Sequence, residues 1–168
     1  ITRLFNDHPA EKDCRYELGN RCCIIGNGNV AIDILRLLSK TDDEFSGSEV
    51  SDYSFNRINK KQLEEINVIG RSSLLDAKFD DLMLKELQQL KQVKFTFHGE
   101  FSEIEKQTAR YAILETLQAN TAELKDSLEV NFYFGLQPIS FHGTDHVETV
   151  EFESTASTRV FVKADSVI

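Results

Sequence analysis

Residues 22–38, CCIIGNGNVAIDILRLL, pass from an apolar run through two glycines into a segment with helical periodicity. The apolar run, taken as residues 21–26, predicts a β-strand that is buried on both faces. The segment that follows predicts a helix over residues 29–40, whose apolar stripe consists of Val30, Ile34, Leu37 and Leu38. The order is therefore strand, tight turn and helix, with no loop between the strand and the helix.

The two glycines of this turn predict an anion-binding site. Gly26 permits the tight turn, and Gly28 removes a side chain where a phosphate group has to approach the backbone. A helix that begins near Asn29 directs free N–H groups and a partial positive charge into the same space. With Ala31 the spacing is Gly-x-Gly-x-x-Ala, a form of the dinucleotide-binding fingerprint. A glycine turn that serves chain geometry alone is the alternative.

A second predicted strand, EINVIGR, ends at Gly70 and is followed by Arg71 and Ser72. This is the position from which a Rossmann-type domain contacts the adenosine ribose. An acidic residue here would accept a hydrogen bond from the 2′-hydroxyl group of NAD, whereas Arg can donate charge-assisted hydrogen bonds to the 2′-phosphate of NADP. Arg71 therefore favours NADP over NAD. The alternative is a solvated Arg at the end of a strand.

The middle of the chain continues the alternation of strands and helices. LMLKELQQL predicts a helix, VKFTF a third strand, and residues 102–126 the longest helix. Ser102 and Glu105 have the spacing of a capping box at the start of that helix. Its predicted inward-facing residues are Ile104, Tyr111, Leu114, Leu117 and Leu124.

The last third of the chain changes to a period of two. NFYFGLQPISF, VETVEFES and STRVFVKAD predict three antiparallel strands joined by short turns. The predicted fold is thus α/β: a Rossmann-like βαβ nucleotide-binding domain with a parallel central sheet and an antiparallel three-stranded β-meander. We expect one domain over residues 1–168, with the βαβ core at 21–126 and the meander at 130–163.

Composition limits the classes of partner. The 168-residue chain is 40% hydrophobic and 28% charged, with a formal net charge of −9. This charge argues against nucleic acid, because phosphate backbones are bound by a surplus of Lys and Arg. No apolar run approaches the roughly 20 residues of a membrane span, so no membrane partner is expected. The three Cys, with Cys22 next to Cys23, favour a reduced, cytoplasmic protein.

We expect no catalytic residue and no metal site in the chain. No nucleophile and base can be paired from the sequence. His142, Asp145 and His146 lie close together in HGTDH, but the further ligands and the surrounding hydrogen bonds of a metal site are missing. Asp33 either orients the turn or pairs with Arg36, and we expect the pairing.

Three segments carry a resemblance to a known family. GNGNVAIDILRLL, INVIGRSSLLDAKF and MLKELQQL resemble the NADPH-binding domain of the adrenodoxin-reductase-like ferredoxin–NADP reductases, flavoproteins of the glutathione-reductase-type fold. In that family a Gly-x-Gly-Asn-Val-Ala-x-Asp turn binds the pyrophosphate. A Gly-Arg-Arg-Gly-Pro segment follows the second strand.

The resemblance implies a role for particular residues. The pyrophosphate turn falls on Asn27, Gly28, Asn29 and Val30, and the first arginine of the 2′-phosphate site falls on Arg71. The family's second arginine is Ser72 here, and Met83 stands where the family has an NADP-contacting Glu, with Glu86 one turn further along. These two departures leave NAD(H) open as an alternative to NADP(H).

The resemblance also implies what lies outside the chain. Residues 1–20 would lead in from an FAD domain and residues 164–168 would return to it, so FAD would belong to the full-length protein. The implied function is hydride delivery to FAD for electron transfer to a ferredoxin-like acceptor, with the isolated chain inactive. A non-catalytic or degenerate nucleotide-binding module, or another electron-transfer flavoenzyme of the same fold, is the alternative.

Overall fold

The computed structural model describes residues 15–45, 58–121 and 123–168. The strands in these ranges are β1 (Tyr16–Glu17), β2 (Arg21–Ile25), β3 (Ile58–Asn59), β4 (Glu65–Gly70), β5 (Val93–His98), β6 (Leu128–Phe134), β7 (Leu136–His142), β8 (Thr149–Ser154), β9 (Arg159–Lys163) and β10 (Ser166–Val167). The α-helices there are α1 (Asn29–Ser39), α2 (Asp81–Glu86), α3 (Glu103–Lys106) and α4 (Ala109–Thr121), and 3₁₀ turns cover Asp42–Phe45 and Leu87–Gln89. Of the predicted lead-in at residues 1–20, residues 1–14 lie outside the described part.

The described strands form a central parallel sheet and two smaller sheets. The central sheet has five strands in the order β10-β2-β4-β6-β5, and every neighbouring pair is parallel. Strands β7, β8 and β9 form an antiparallel meander, and β1 pairs with β3. The predicted fold class, a parallel central sheet with an antiparallel three-stranded meander, is confirmed. That residues 1–168 form a single domain stays a prediction.

The central sheet lies between the helices on one face and the meander on the other. In β2, Cys22 and Ile24 belong to the apolar cluster that includes residues of α1, α2 and α4. Cys23 and Ile25 belong to the cluster that includes Val150 of the meander. Because successive side chains of a strand point to opposite faces, both faces of β2 must be apolar. This burial explains the continuous apolar run that marks β2 in the sequence.

The meander begins later than expected. Strand β6 pairs in parallel with β4 and β5, so it belongs to the central sheet. NFYFGLQPISF is therefore two strands, β6 and β7, which are separated at Gly135 (φ +75°). Within β6, Phe132 is buried whereas Asn131 and Tyr133 are half-buried. This alternation has a period of two and imitates the pattern of an antiparallel strand with one solvated face.

The predicted helix over residues 102–126 is two helices, α3 and α4. The capping box is confirmed: Glu105 N donates to Ser102 Oγ at 3.2 Å, and Ser102 N donates to Glu105 Oε2 at 2.8 Å. Thr108 Oγ1 then accepts from Tyr111 N at 3.2 Å and caps the second helix, so the helical path is interrupted before α4. In the described part of the chain, no helix is both long and apolar enough to cross a membrane.

Two predicted apolar stripes are wrong in part. Val30 is 64% exposed, and the buried side of α1 consists of Ala31, Ile32, Leu35, Leu38 and Ser39. Ile104 is 72% exposed, whereas Leu114 and Leu117 are buried as predicted. Apolar residues cover more than half of the circumference of α1 in the sequence. Periodicity alone therefore did not determine which side of the helix faces the sheet.

Strand β10 is joined to β2 through a carboxylate. Asp165 Oδ2 accepts from Arg21 N at 2.9 Å and from Asn20 N at 3.1 Å, and Arg21 Nη2 lies 3.1 Å from Asp165 Oδ1. The hydrogen bond from the Arg21 side chain is the main reason why the pKa of Asp165 lies below its ordinary value. A group whose pKa is lower in the folded state stabilises the fold when it is ionised.

We predict that Asp165→Asn lowers the free energy of unfolding by about 1–2 kcal/mol at pH 7, because it removes a charged acceptor of several hydrogen bonds. The stabilisation is present above the unfolded pKa of about 4 and is lost as the pH falls through the lower folded pKa. Urea unfolding at pH 7 and at pH 3 should therefore show a difference between variant and parent that shrinks at the acidic pH. Glu153→Gln, which removes a longer surface ion pair with Arg159 (3.7 Å), is the control and should change stability little at either pH.

Candidate dinucleotide-binding site

The turn between β2 and α1 has the tight geometry that the glycines predicted. Gly26 adopts a φ of +137°, a conformation that residues with a Cβ atom rarely reach. Its amide donates to Ile69 O at 2.8 Å, which joins the turn to the end of β4. Gly28 is the N-cap of α1, and the helix begins at Asn29 as expected.

The N-terminus of α1 has no capping side chain. Gly28 has no side chain to offer, and the first turn of the helix contains no acidic residue. The carbonyl of Gly28 accepts from Ala31 N at 3.0 Å and from Ile32 N at 3.2 Å. The amides of Asn29 and Val30 therefore precede the first intrahelical hydrogen bonds and are available to an anion.

The segment after β4 is connected back to this turn. Lys78 N donates to Asn27 O at 3.1 Å, and Gly28 forms an isolated β-bridge with Lys78. Asn29 Nδ2 donates to Asp80 Oδ2, and Asp80 N donates to Asn29 Oδ1, both at 2.8 Å. The side chain of Asn29 is thus engaged within the protein, so the main-chain amide is what Asn29 can offer to a ligand.

Asn27 lies where the turn meets the end of β4. The residue is 8% exposed, and its side chain lies over the backbone of Gly70. Among the described residues and their hydrogen bonds, its buried Nδ2 atom has no partner. A buried donor without an acceptor lowers the free energy of unfolding by about 1–3 kcal/mol. An oxygen atom of a bound phosphate or ribose would be an acceptor at this place.

Arg71 and Ser72 follow β4, the strand next to β2. The side chain of Arg71 is exposed, and within ranges 15–45, 58–121 and 123–168 it has no hydrogen bond or ion pair. Ser72 is half-buried, and its carbonyl accepts from Gly135 N at 3.1 Å. Carboxyl ends of parallel strands meet at one edge of a sheet, so the fold brings all the predicted ligand-binding residues to the same edge.

Helix α2 contributes less to this edge than the family pattern implies. Met83 is half-buried and packs against the apolar core. Glu86 lies 2.9 Å from Arg36 of α1, and Arg36 also lies 3.7 Å from Asp33 as expected. The carboxylate of Glu86 is therefore part of an ion pair between two helices.

A cavity of about 400 Å³ lies at the carboxyl ends of β5 and β6. The rings of His98 and Tyr133 stack there with centroids 4.4 Å apart, and Ser73 and Thr155 also line the cavity. Burial raises the pKa of Tyr133, so its hydroxyl group stays protonated and can donate a hydrogen bond. Sequence reasoning missed this cavity because it placed residues 130–134 in the meander. Recognising β6 as the parallel neighbour of β5 would have placed His98 beside Tyr133.

The histidines of HGTDH lie on the meander. His142 Nε2 lies 2.9 Å from Glu151 Oε2 and 2.9 Å from Ser140 Oγ. In the described part of the chain, no three His, Cys, Asp or Glu side chains are arranged to hold a metal ion. His142 thus has partners within the meander itself.

Comparison with known proteins gives relatives that are named as reductases. No protein-family model matches the chain. Cindoxin reductase of Citrobacter braakii is 34% identical over 173 aligned positions, which cover 100% of this chain and 38% of that protein. A probable mitochondrial NADPH:adrenodoxin oxidoreductase of Dictyostelium discoideum is 31% identical over 121 residues, covering 71% of this chain and 23% of the relative.

A solved structure has the same fold. Mycobacterium tuberculosis FprA in complex with NADPH matches with a TM-score of 0.72 and 22% identity, over 89% of this chain and 38% of the FprA chain. These relatives are named as reductases or oxidoreductases, and the names of several include NADPH. The chain is homologous to part of the adrenodoxin-reductase-like ferredoxin–NADP reductases, and the resemblance predicted from the sequence is confirmed. The chain spans less than two fifths of the length of these relatives.

We predict that Gly70→Ala disturbs the glycine turn through Asn27. A Cβ atom at this position would lie 2.1 Å from Asn27 Cγ, so the Asn27 side chain would have to move. The expected loss is about 1–3 kcal/mol of unfolding free energy, measured by urea unfolding. The matched control is the double variant Asn27→Ala with Gly70→Ala, in which the clashing atoms are gone and most of the loss should disappear. Parent-like stability of the single variant would contradict this packing.

Proposed function

We propose that this chain binds NADP(H), with NAD(H) as the alternative, and serves as the nucleotide-binding part of a flavin-dependent reductase. The observation that carries the proposal is the uncapped N-terminus of α1, beside the end of β4 at which Arg71 stands. The N-terminus of α1 suits a diphosphate, and Arg71 suits a 2′-phosphate. The two follow adjacent strands at one edge of the sheet. NADPH, when bound, supplies a hydride.

Each candidate residue has a distinct task in this proposal. The amides of Asn29 and Val30 bind the diphosphate, which lies against the backbone because Gly28 has no side chain. The Nδ2 atom of Asn27 donates to a nearby ligand oxygen. The guanidinium group of Arg71 binds the 2′-phosphate, and the hydroxyl group of Ser72 adds a neutral hydrogen bond.

The cavity beside His98 and Tyr133 lies further along the same edge of the sheet, beyond β4. Along the carboxyl edge the sheet order runs from β2 through β4 to β6. A dinucleotide whose diphosphate lies at β2 and whose ribose lies at β4 would extend its adenine towards β6. Stacked aromatic rings and hydroxyl groups suit a flat heterocycle with polar edges.

The reductase role rests on the relatives. Their names specify cindoxin reductase, adrenodoxin oxidoreductase and ferredoxin reductase, and the chain spans less than two fifths of those relatives. We propose that the full-length protein delivers hydride to FAD and passes electrons to a ferredoxin-like acceptor. The glycine turn of this chain is assigned to the nicotinamide cofactor, so we place FAD binding in a partner FAD domain outside these 168 residues. We expect the isolated chain to be catalytically inactive.

A non-catalytic nucleotide-binding module is the second candidate. The observation that favours it is the replacement of two residues of the family pattern. Ser72 occupies the position of the family's second arginine, and Met83, at the position of the family's Glu, packs against the core. Glu86, one turn further along, is paired with Arg36. A site that has lost these contacts can still bind a dinucleotide weakly.

We also propose a cytoplasmic location. Cys22 and Cys23 are free and buried, and burial raises the pKa of Cys22 to about 11 and that of Cys23 to about 12. Thiols held in this way are protonated and unreactive at neutral pH, which suits a reducing compartment. Localisation of the tagged full-length protein by microscopy would test the assignment.

We predict that Arg71→Ala lowers the affinity for NADPH by about ten- to a hundred-fold, because it removes a charged hydrogen bond to the 2′-phosphate. The affinity for NADH, which lacks that phosphate, should stay close to that of the parent. Calorimetric titration of the chain with both nucleotides measures the effect. Arg159→Ala on the meander removes the same charge and should change neither affinity. Equal affinities of Arg71→Ala and the parent for NADPH would reject the assignment of Arg71.

We predict that Gly28→Ala blocks the diphosphate without disturbing the fold. Gly28 has a φ of −109° and a ψ of 179°, which any residue adopts, and the nearest atom to an added Cβ is Lys78 Cβ at 3.8 Å. Stability should therefore change by less than about 1 kcal/mol. Affinity for NADPH and for NADH should fall by about tenfold or more, because the methyl group occupies the place of the diphosphate. Adenosine 2′-monophosphate, which has no diphosphate, is the control ligand and should bind as before.

A further inference from the structure

The side chain of Arg110 crosses from α4 to the irregular segment between β4 and α2. It is 20% exposed, and its guanidinium group lies over the ring of Phe79 at 5.2 Å from the centroid. Its Nε atom donates to Asp81 Oδ1 at 2.6 Å. Its Nη atoms donate to backbone carbonyl oxygens, namely those of Leu74 (3.0 Å), Leu75 (3.4 Å), Ala77 (3.1 Å) and Phe79 (3.2 Å). One side chain thus binds the backbone of the segment along most of its length.

Glu105 holds the same segment through a complementary contact. Its Oε1 atom accepts from Leu74 N at 3.1 Å, while Oε2 accepts from Ser102 N. Burial opposes ionisation of Glu105, but the hydrogen bonds from Ser102 and from the Leu74 backbone outweigh it and hold the pKa below its ordinary value. The carboxylate of Glu105 therefore accepts from a backbone amide of the segment, and the guanidinium group of Arg110 donates to its carbonyl groups.

The segment held in this way carries the proposed nucleotide contacts at both ends. Arg71 and Ser72 stand at its start. Lys78 and Asp80, at its far end, bond to Asn27 and Asn29 of the glycine turn and helix α1. In the described part of the chain, Arg71 has no ion pair or hydrogen bond of its own, so the backbone of the segment has to set the place of its guanidinium group.

We propose that Arg110 is the positioning residue for recognition of the 2′-phosphate: it fixes the segment over residues 74–79 and thereby the location of Arg71. This inference rests on the proposed function and goes beyond it, because Arg110 touches neither the turn nor Arg71. A binding group that is held in place before the ligand arrives loses less entropy on binding. Arg110 would therefore affect the preference for NADPH over NADH more than the affinity for nucleotides in general.

The geometry calls for arginine at this position. A planar guanidinium group has five N–H donors in fixed directions and can bond to several carbonyl groups and a carboxylate at once. Lysine offers one ammonium group on a flexible chain, which can keep the ion pair with Asp81 but cannot bond to all these carbonyls. Arg110→Lys is therefore a variant that preserves charge and removes most of the positioning.

The test compares dissociation constants of the chain for NADPH and NADH in four single variants and one double variant. Arg110→Met and Arg110→Lys loosen the segment, and Arg71→Ala removes the proposed phosphate contact. Arg36→Met is the matched control, because Arg36 also forms an ion pair with α2, to Glu86 at 2.9 Å, but has no hydrogen bond or ion pair with the described residues 74–79. The double variant combines Arg71→Ala with Arg110→Met. Circular dichroism melting shows which variants fold, and if Arg110→Met does not fold, Arg110→Lys takes its place in the double variant as well.

We expect both Arg110 variants to lower the preference for NADPH over NADH by about tenfold, whereas Arg36→Met leaves it unchanged. If Arg110 acts through Arg71, adding the Arg110 substitution to Arg71→Ala should change the remaining preference by less than about twofold. A purely structural role would instead weaken the binding of both nucleotides equally.

Three outcomes would overturn the inference, and they separate its failure from the failure of the proposed function. If Arg71→Ala lowers the preference but neither Arg110 variant does, the positioning role is wrong and the proposed function stands. The same conclusion follows if the two substitutions lower the preference independently in the double variant. If Arg71→Ala leaves the preference unchanged, the proposed recognition of the 2′-phosphate fails, and the role of Arg110 fails with it.

Discussion

Only Gly26, Asn27 and Gly28 separate the last residue of β2 from the first residue of α1. The chain changes direction within this distance because Gly26 has a positive φ and its amide is bonded to the end of β4. A connection this short ends in an N-cap without a side chain, so the first amides of α1 stay available. The positive end of the helix is thus a consequence of the turn itself, and the other candidate residues are arranged around it.

Parallel pairing determines what surrounds the turn. Because β4 lies beside β2, the chain that leaves β4 has to emerge next to the glycines, and it does so as an irregular segment over residues 71–80. The polar groups of its backbone are satisfied by Glu105 and Arg110 from one side and by the glycine turn from the other. An irregular backbone that is bonded on both sides can present a charged side chain in a defined place. The meander covers the face of the sheet opposite the helices.

Several parts of the fold and of the candidate site could be predicted from local sequence. The turn at Gly26 and Gly28, the helix start at Asn29 and the capping box of Ser102 and Glu105 all depend on residues within one turn of each other. Strand β6 could not be placed in this way, because its alternating burial comes from incomplete cover by the meander and not from strand direction. The contacts of Arg110 were also out of reach, since its partners lie about 30 residues away in the chain.

The sequence by itself determined that a strand passes through two glycines into a helix. Glycine alone readily adopts the backbone conformation of such a turn and leaves the space that a side chain would fill. It also determined the family that the chain resembles, because these motifs and Arg71 occur together in the expected order. Only the tertiary structure decided the neighbours of each strand, the rotation of α1 and the bonding of residues 74–79 to Arg110. These depend on contacts between residues far apart in the chain, which arise only when the sheet is assembled and its two faces are covered.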